Sequence, residues 1–292
     1  MFNKIIAWVL GGVNVFLLWA GYPAIPAGQR LDLDKFTLTW QDEFDGTQLD
    51  SEKWRGHFWG VPDNEGQNIA HKRRDGWWAL EVARVDTVPG HGGMLHIPSV
   101  YLEEGTAGGP AGYYSLGIDT RGLFEQKFGY FEVRCKLPKG QGLWSAFWMM
   151  PERFGTTPED GQTGAEIDIY ESAFYRDGWP KMNSVASAVH YGGYGDNLQS
   201  QGVGRYFVKK PYDTFHTYGL EWNENEYIFY IDGVETGRSS FGGVSQNPQY
   251  LLLSVEHQLG GWAGDISENR PGEMTDFVVD YVRAYQYKSL LE

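Results

Sequence analysis

Apolar and polar residues alternate at period two through much of this chain, which is the pattern of half-buried β-strands. Phe36-Thr-Leu-Thr-Trp40 opens the series and runs into an acidic turn that ends at Gly46. From Tyr114 the signals become dense: Tyr114–Ile118, Gly129–Leu137 and Leu143–Met150 are each bounded by Gly or Pro. Ser184–Tyr191 follows, then a hairpin of His216–Trp222 and Tyr227–Ile231 with a turn at Asp232-Gly233, and finally Tyr250–Val255 and Phe277–Tyr287. The stretches 54–60, 63–75, 103–114 and 192–204 are rich in Gly, Asn and charge without a sustained period, and read as loops. No long segment keeps a helical period. The expected class is all-β, most economically a sandwich of two antiparallel sheets.

One strand breaks the usual rule that strands carry apolar and neutral residues. Gly164-Ala-Glu-Ile-Asp-Ile-Tyr-Glu-Ser172 places three carboxylates among Ile, Ile and Tyr. Alternation puts Glu166 and Asp168 on one face and Ile167 and Ile169 on the other, a polar cleft against a core. Glu171 is out of phase with the first two acids. It regains their face only if a β-bulge absorbs one extra residue near Ile169 and Tyr170, a device common beside active sites. The two glutamate Cα atoms would then lie about 13 Å apart. Long side chains leaning inward could bring the carboxyls to about 5 Å, the separation that suits a double displacement at a sugar.

Composition supports such a cleft. The chain has 292 residues, 41% hydrophobic, which suffices for one sizeable core. Twelve Trp and 18 Tyr exceed what a core alone needs, and aromatic faces stack well on the C–H faces of sugars. A formal charge of -14 argues against a nucleic-acid partner, which calls for a basic footprint, and leaves a neutral polymer compatible. The single Cys135 excludes an internal disulfide and reads as a buried thiol. Residues 1–27 contain a long apolar run behind Lys4, read as a signal peptide or an uncleaved membrane anchor, with one main domain over 28–292. The domain is therefore expected to be secreted or extracytoplasmic, with the N-terminus as a possible tether.

With Glu166-Ile-Asp-Ile-Tyr-Glu171 preceded by Trp144-Ser-Ala-Phe-Trp148, the chain resembles glycoside hydrolase family 16 in its bulged, laminarinase-like branch. The resemblance extends over most of residues 36–287, including Trp40–Gly46, Leu49–Trp54 and Tyr281–Tyr285. It implies a concanavalin-like β-jelly-roll with a concave cleft, and retaining, endo-acting hydrolysis of a β-linked polysaccharide. A β-1,3- or mixed-linkage glucan is favoured, with a β-galactan as the other candidate. Transglycosylation on the same site and a noncatalytic carbohydrate-binding module are the competing readings.

By position, the resemblance makes Glu166 the nucleophile, Glu171 the acid/base and Asp168 the acid between them that orients Glu166. It implies substrate contacts for Trp144, Trp148 and His190, and looser ones for Arg121, Trp59, Asn64 and Trp262. Glu43 and Asp280 fall where many members hold carboxylates near a structural calcium, the alternative being that both face solvent or pair with a cation. No cofactor is implied for catalysis, and a monomer is expected. Relatives in this branch often have an Asn in the strand matching Leu252–Glu256; here Ser254, Glu256 and His257 stand instead, which weakens the transfer of a β-1,3-glucan substrate.

Overall fold

The alternation does build two antiparallel sheets. The computed structural model describes residues 29–56, 69–88, 92–152, 154, 160–173, 175–176, 179–180 and 184–292. The N-terminal signal or anchor, Trp59 and Asn64 therefore lie outside the described residues. Among the described residues no helix is long and apolar enough to cross a membrane, and the helical elements are three-residue 3₁₀ turns.

The sheet that carries the three acids has six strands in the spatial order Gln199–Phe207, Ser184–Tyr191, Glu166–Ala173, Leu143–Pro151, Gln249–His257 and Gly117–Asp119. The sheet behind it runs Val234–Ser239, Tyr227–Ile231, His216–Trp222, Gly129–Lys136, Phe277–Tyr287, Gly92–Ile97 and Arg84–Val88, with Phe36–Asp42 also paired to Phe277–Tyr287. The core fills the space between them. Phe131, Val133 and Cys135 from one sheet meet Phe147, Met149, Ile167, Val189, Leu251 and Leu253 from the other, all fully buried. Each such side chain contributes about 1.5–3 kcal/mol relative to exposure. Burial also pushes the Cys135 thiol far up, so it is an inert core residue.

Three stretches differ from their sequence reading. Residues 71–78 form a hairpin, His71–Arg73 with Gly76–Trp78, rather than a loop. It joins Gly112–Ser115 and Val100–Leu102 in a small third sheet. Gln199–Phe207 is an edge strand despite its glycines, held by pairing to Ser184–Tyr191 over its whole length. The run Tyr114–Ile118 is not one strand: Gly112–Ser115 belongs to the small sheet and Gly117–Asp119 to the carboxylate sheet. At the start of the second, Gly117 lies against the Trp78 ring, where an added Cβ would come within 2.5 Å of Cζ3.

Glu43 and Asp280 each meet an arginine. Glu43 takes a bidentate contact from Arg283, at 2.7 and 2.9 Å, beside a hollow of about 470 Å³ formed by residues 41–53. Asp280, at a bulge in Phe277–Tyr287, pairs with Arg134.

Candidate active site

The carboxylate strand contains the bulge that its phase requires. Asp168 faces Ala188 and Glu171 faces Ala186 across the same strand pair, so Ile169 and Tyr170 together oppose Ser187. On the other side Tyr170 faces Phe147 and Asp168 faces Trp148, again with Ile169 as the extra residue. Both bulged side chains enter the core, Ile169 at 3% exposure and Tyr170 at zero. The Ser187 hydroxyl donates to the Ile169 carbonyl at 2.8 Å and so partners a backbone oxygen within the bulge. Glu171 is thereby returned to the face of Glu166 and Asp168.

These three acids line a cleft of about 250 Å³ with Trp144, Trp148 and Tyr194. Trp148, 5% exposed, forms part of its floor and donates its indole N–H to Ser254 Oγ at 3.2 Å. Trp144 meets Trp262 edge to face, with ring centres 4.7 Å apart. His190 is opposite Glu166 in the strand register, and its Nε2 lies 2.9 Å from Asp168 Oδ2. Its Nδ1 is 2.7 Å from Ser200 Oγ. Glu166, Asp168 and His190 thus bring their polar atoms within 4.8 Å of one another, the one group of potential metal-ligating side chains found among the described residues.

Arg121 is placed elsewhere. It makes a bidentate ion pair with Glu152, at 2.5 and 2.6 Å, and does not join the residues lining the carboxylate cleft. In return the structure supplies four cleft residues to which sequence reasoning gave no role. Tyr194 donates its hydroxyl to Glu166. Glu256 faces Trp144 across the strand pair and is held by Arg73, at 2.6 Å, and by Arg74. Glu256 could have been placed from its period, since it shares a strand face with Ser254. Tyr194 sits in a glycine-rich turn and the arginines in a hairpin remote in sequence, so neither carried a local signal.

The electrostatics separate the two glutamates. Burial, then the negative charges of Asp168 and Glu166, push Glu171 well above the ordinary carboxylate range. Glu256 acts in the same direction, and the nearby Trp144 indole N–H acts against it. Glu166 is raised to about 7 by burial and then by Asp168, but the Tyr194 hydrogen bond and the charges of His190 and Arg73 pull it down. Burial opposes protonation of His190; the Asp168 contact and the nearby negative charges outweigh it and raise the His190 pKa. The arrangement favours one proton on Glu171 while Glu166 keeps the contacts that stabilise an anion.

The sequence model for "Glycosyl hydrolases family 16" matches residues 90–283. The chain is 29% identical over 268 residues to an endo-1,3-1,4-beta-glycanase, ExsH, of Rhizobium meliloti, covering 88% of this chain and 53% of that protein. It is 30% identical to a beta-glucanase of Rhodothermus marinus, covering 86% of this chain and 85% of that one. The chain thus spans about half the length of the first of these relatives. Among solved structures, a LamA variant from Z. galactanivorans in complex with laminaritriose and laminaritetraose is 29% identical, with a TM-score of 0.63 over 86% of this chain and 99% of that one. The family match covers most of the chain, includes the bulged carboxylate strand, and agrees with the jelly-roll of its structural relatives: the chain belongs to glycosyl hydrolases family 16.

Proposed function

We propose that the chain is a retaining endo-β-glycosidase that cleaves internal bonds of a β-1,3- or mixed-linkage glucan. The observation that carries this reading is the bulge, which puts Glu166 and Glu171 on one cleft wall with Asp168 between them. In the first step Glu166 attacks the anomeric carbon while Glu171 gives its proton to the departing glycosidic oxygen. Esterification consumes the charge of Glu166, one of the charges that had held the Glu171 pKa up. Glu171 can then act as a base on the water that opens the ester. The Asp168 charge acts on both glutamates, and His190 Nε2 holds that carboxylate at 2.9 Å.

The names of the relatives support a β-glucan over a β-galactan, and the intact acid pair supports turnover over mere binding. No cofactor is needed for this double displacement. A polymer substrate that cannot enter a cell fits an extracytoplasmic location, with residues 1–27 serving as signal or tether.

Incubation with a panel of neutral β-glucans and β-galactans, with products sized, tests the reading directly. Glu166→Gln should abolish hydrolysis while retaining polysaccharide binding, and unchanged turnover would overturn the assignment. Glu171→Ala should lose about 10²-fold or more on poor leaving groups and recover with azide. Running the wild type with an added acceptor oligosaccharide separates hydrolysis from transglycosylation.

A further inference from the structure

Arg74 occupies the tip of the hairpin His71–Arg73 with Gly76–Trp78, and its φ of 49° lies in the left-handed region that residues with a side chain avoid. Such strain persists only where the surroundings fix it. Here the fixing contacts are visible. The Asp75 N–H donates to the His257 carbonyl at 3.3 Å, and the Leu259 N–H donates to the Asp75 carboxylate at 2.9 Å. Gly76 approaches the His257 ring so closely that an added Cβ would lie 2.2 Å from Nδ1. The tip is docked onto the end of the strand Gln249–His257.

That docking aims one side chain. Arg74 donates Nε–H to Glu256, and its guanidinium carbon lies 4.3 Å from the centre of a Trp144 ring. Glu256 is itself 6% exposed and is already engaged by Arg73 through Nε and Nη2. Arg73 therefore already partners this carboxylate, and Arg74 brings a second guanidinium to the same cleft. The Arg74 side chain is 41% exposed, and its two terminal amino groups make no hydrogen bond to any described residue. With Nε occupied and the guanidinium face on Trp144, the free edge is a planar double donor at the cleft, a match for the oxygens of a carboxylate or a sulfate. Lys72 precedes the two arginines, so three consecutive cations lie at this hairpin in a chain whose net charge is -14.

We propose that Arg74 forms an anion-recognising subsite beside Trp144, and that the enzyme acts preferentially on β-glucan bearing acidic substituents. The proposal rests on the β-glucan hydrolase reading and narrows its substrate class. The test compares kcat/KM on a neutral β-glucan with the same polymer carrying carboxylates at C6 or sulfate esters, matched in length. Wild type should prefer at least one acidic polymer by about tenfold, the two arms identifying which oxyanion is read, and the preference should weaken as salt is raised. Arg74→Met should reduce the acidic-to-neutral ratio by about fivefold or more, while Arg74→Lys, which keeps charge without the planar fork, should restore part of it. Cleavage of the neutral glucan reports on the hydrolase alone. If it is cleaved and the ratio is near one, or is unmoved by Arg74→Met, the anionic subsite is overturned and the hydrolase stands; if no glucan is cleaved, both fall.

Discussion

Tyr194 and His190 both influence Glu166, and their effects can be told apart. Tyr194 donates directly to Glu166, so it stabilises the carboxylate form. His190 contacts Asp168 rather than Glu166, and reaches Glu166 by charge alone. Tyr194→Phe removes a contact that lowers the Glu166 pKa, so that pKa should rise. The acid limb of the kcat/KM profile should then move to higher pH by about one unit, with about a tenfold loss on the acid side and little change near the optimum. An acid limb that stays in place, measured on a soluble oligosaccharide, would show that the tyrosine packs near Glu166 without tuning it. The basic limb, set by Glu171, should be unaffected.

At the scale of elements, two devices make the cleft: a bulge and a docked hairpin. The first was legible in the sequence because alternation is strict and Glu171 violates it; only an extra residue reconciles Glu166, Asp168 and Glu171 with one face. Trp144, Trp148 and His190 came from the family resemblance rather than from the period; the structure puts the two tryptophans in the cleft lining and His190 against Asp168. The hairpin was not legible. His71-Lys-Arg-Arg-Asp-Gly76 is too short and too charged to show an apolar alternation, and its place is set by contacts with His257 and Glu256 about 180 residues away. Gly76→Ala tests how firmly that docking holds. His257 is 1% exposed and its Nε2 lies 3.2 Å from Ser99 Oγ, so its ring has little room to retreat from a new Cβ. The substitution should cost about 1–3 kcal/mol and lower kcat/KM on polysaccharide as the hairpin lifts. Gly202→Ala, where an added Cβ meets nothing within 4 Å, serves as the control and should leave both the thermal midpoint and kcat/KM near wild type.

For the whole molecule, the chemistry of the cleft opposes stability. Burial and neighbouring charge raise the Glu171 pKa in the folded state far above its ordinary 4.5. Between those two values the folded chain holds a proton that the unfolded chain has released, so this residue's contribution falls as pH rises. His257 works in the other direction: burial lowers its pKa to about 3, so stability is lost as pH falls from about 6.5 towards that value. The two effects confine the stable range from opposite sides, and a variant can isolate one of them. Glu171→Gln keeps the shape of the side chain and cannot ionise, while His257 is common to both proteins and cancels in the comparison. Near pH 4, where Glu171 is protonated in the folded state, the thermal midpoints of wild type and variant should nearly coincide. At pH 8 the inactive variant should be the more stable by about 2 kcal/mol, or roughly 4–8 °C. Equal midpoints at both pH values, measured by scanning calorimetry, would mean that Glu171 ionises in the folded protein as freely as in water, and the acid role assigned to it would lose its physical basis.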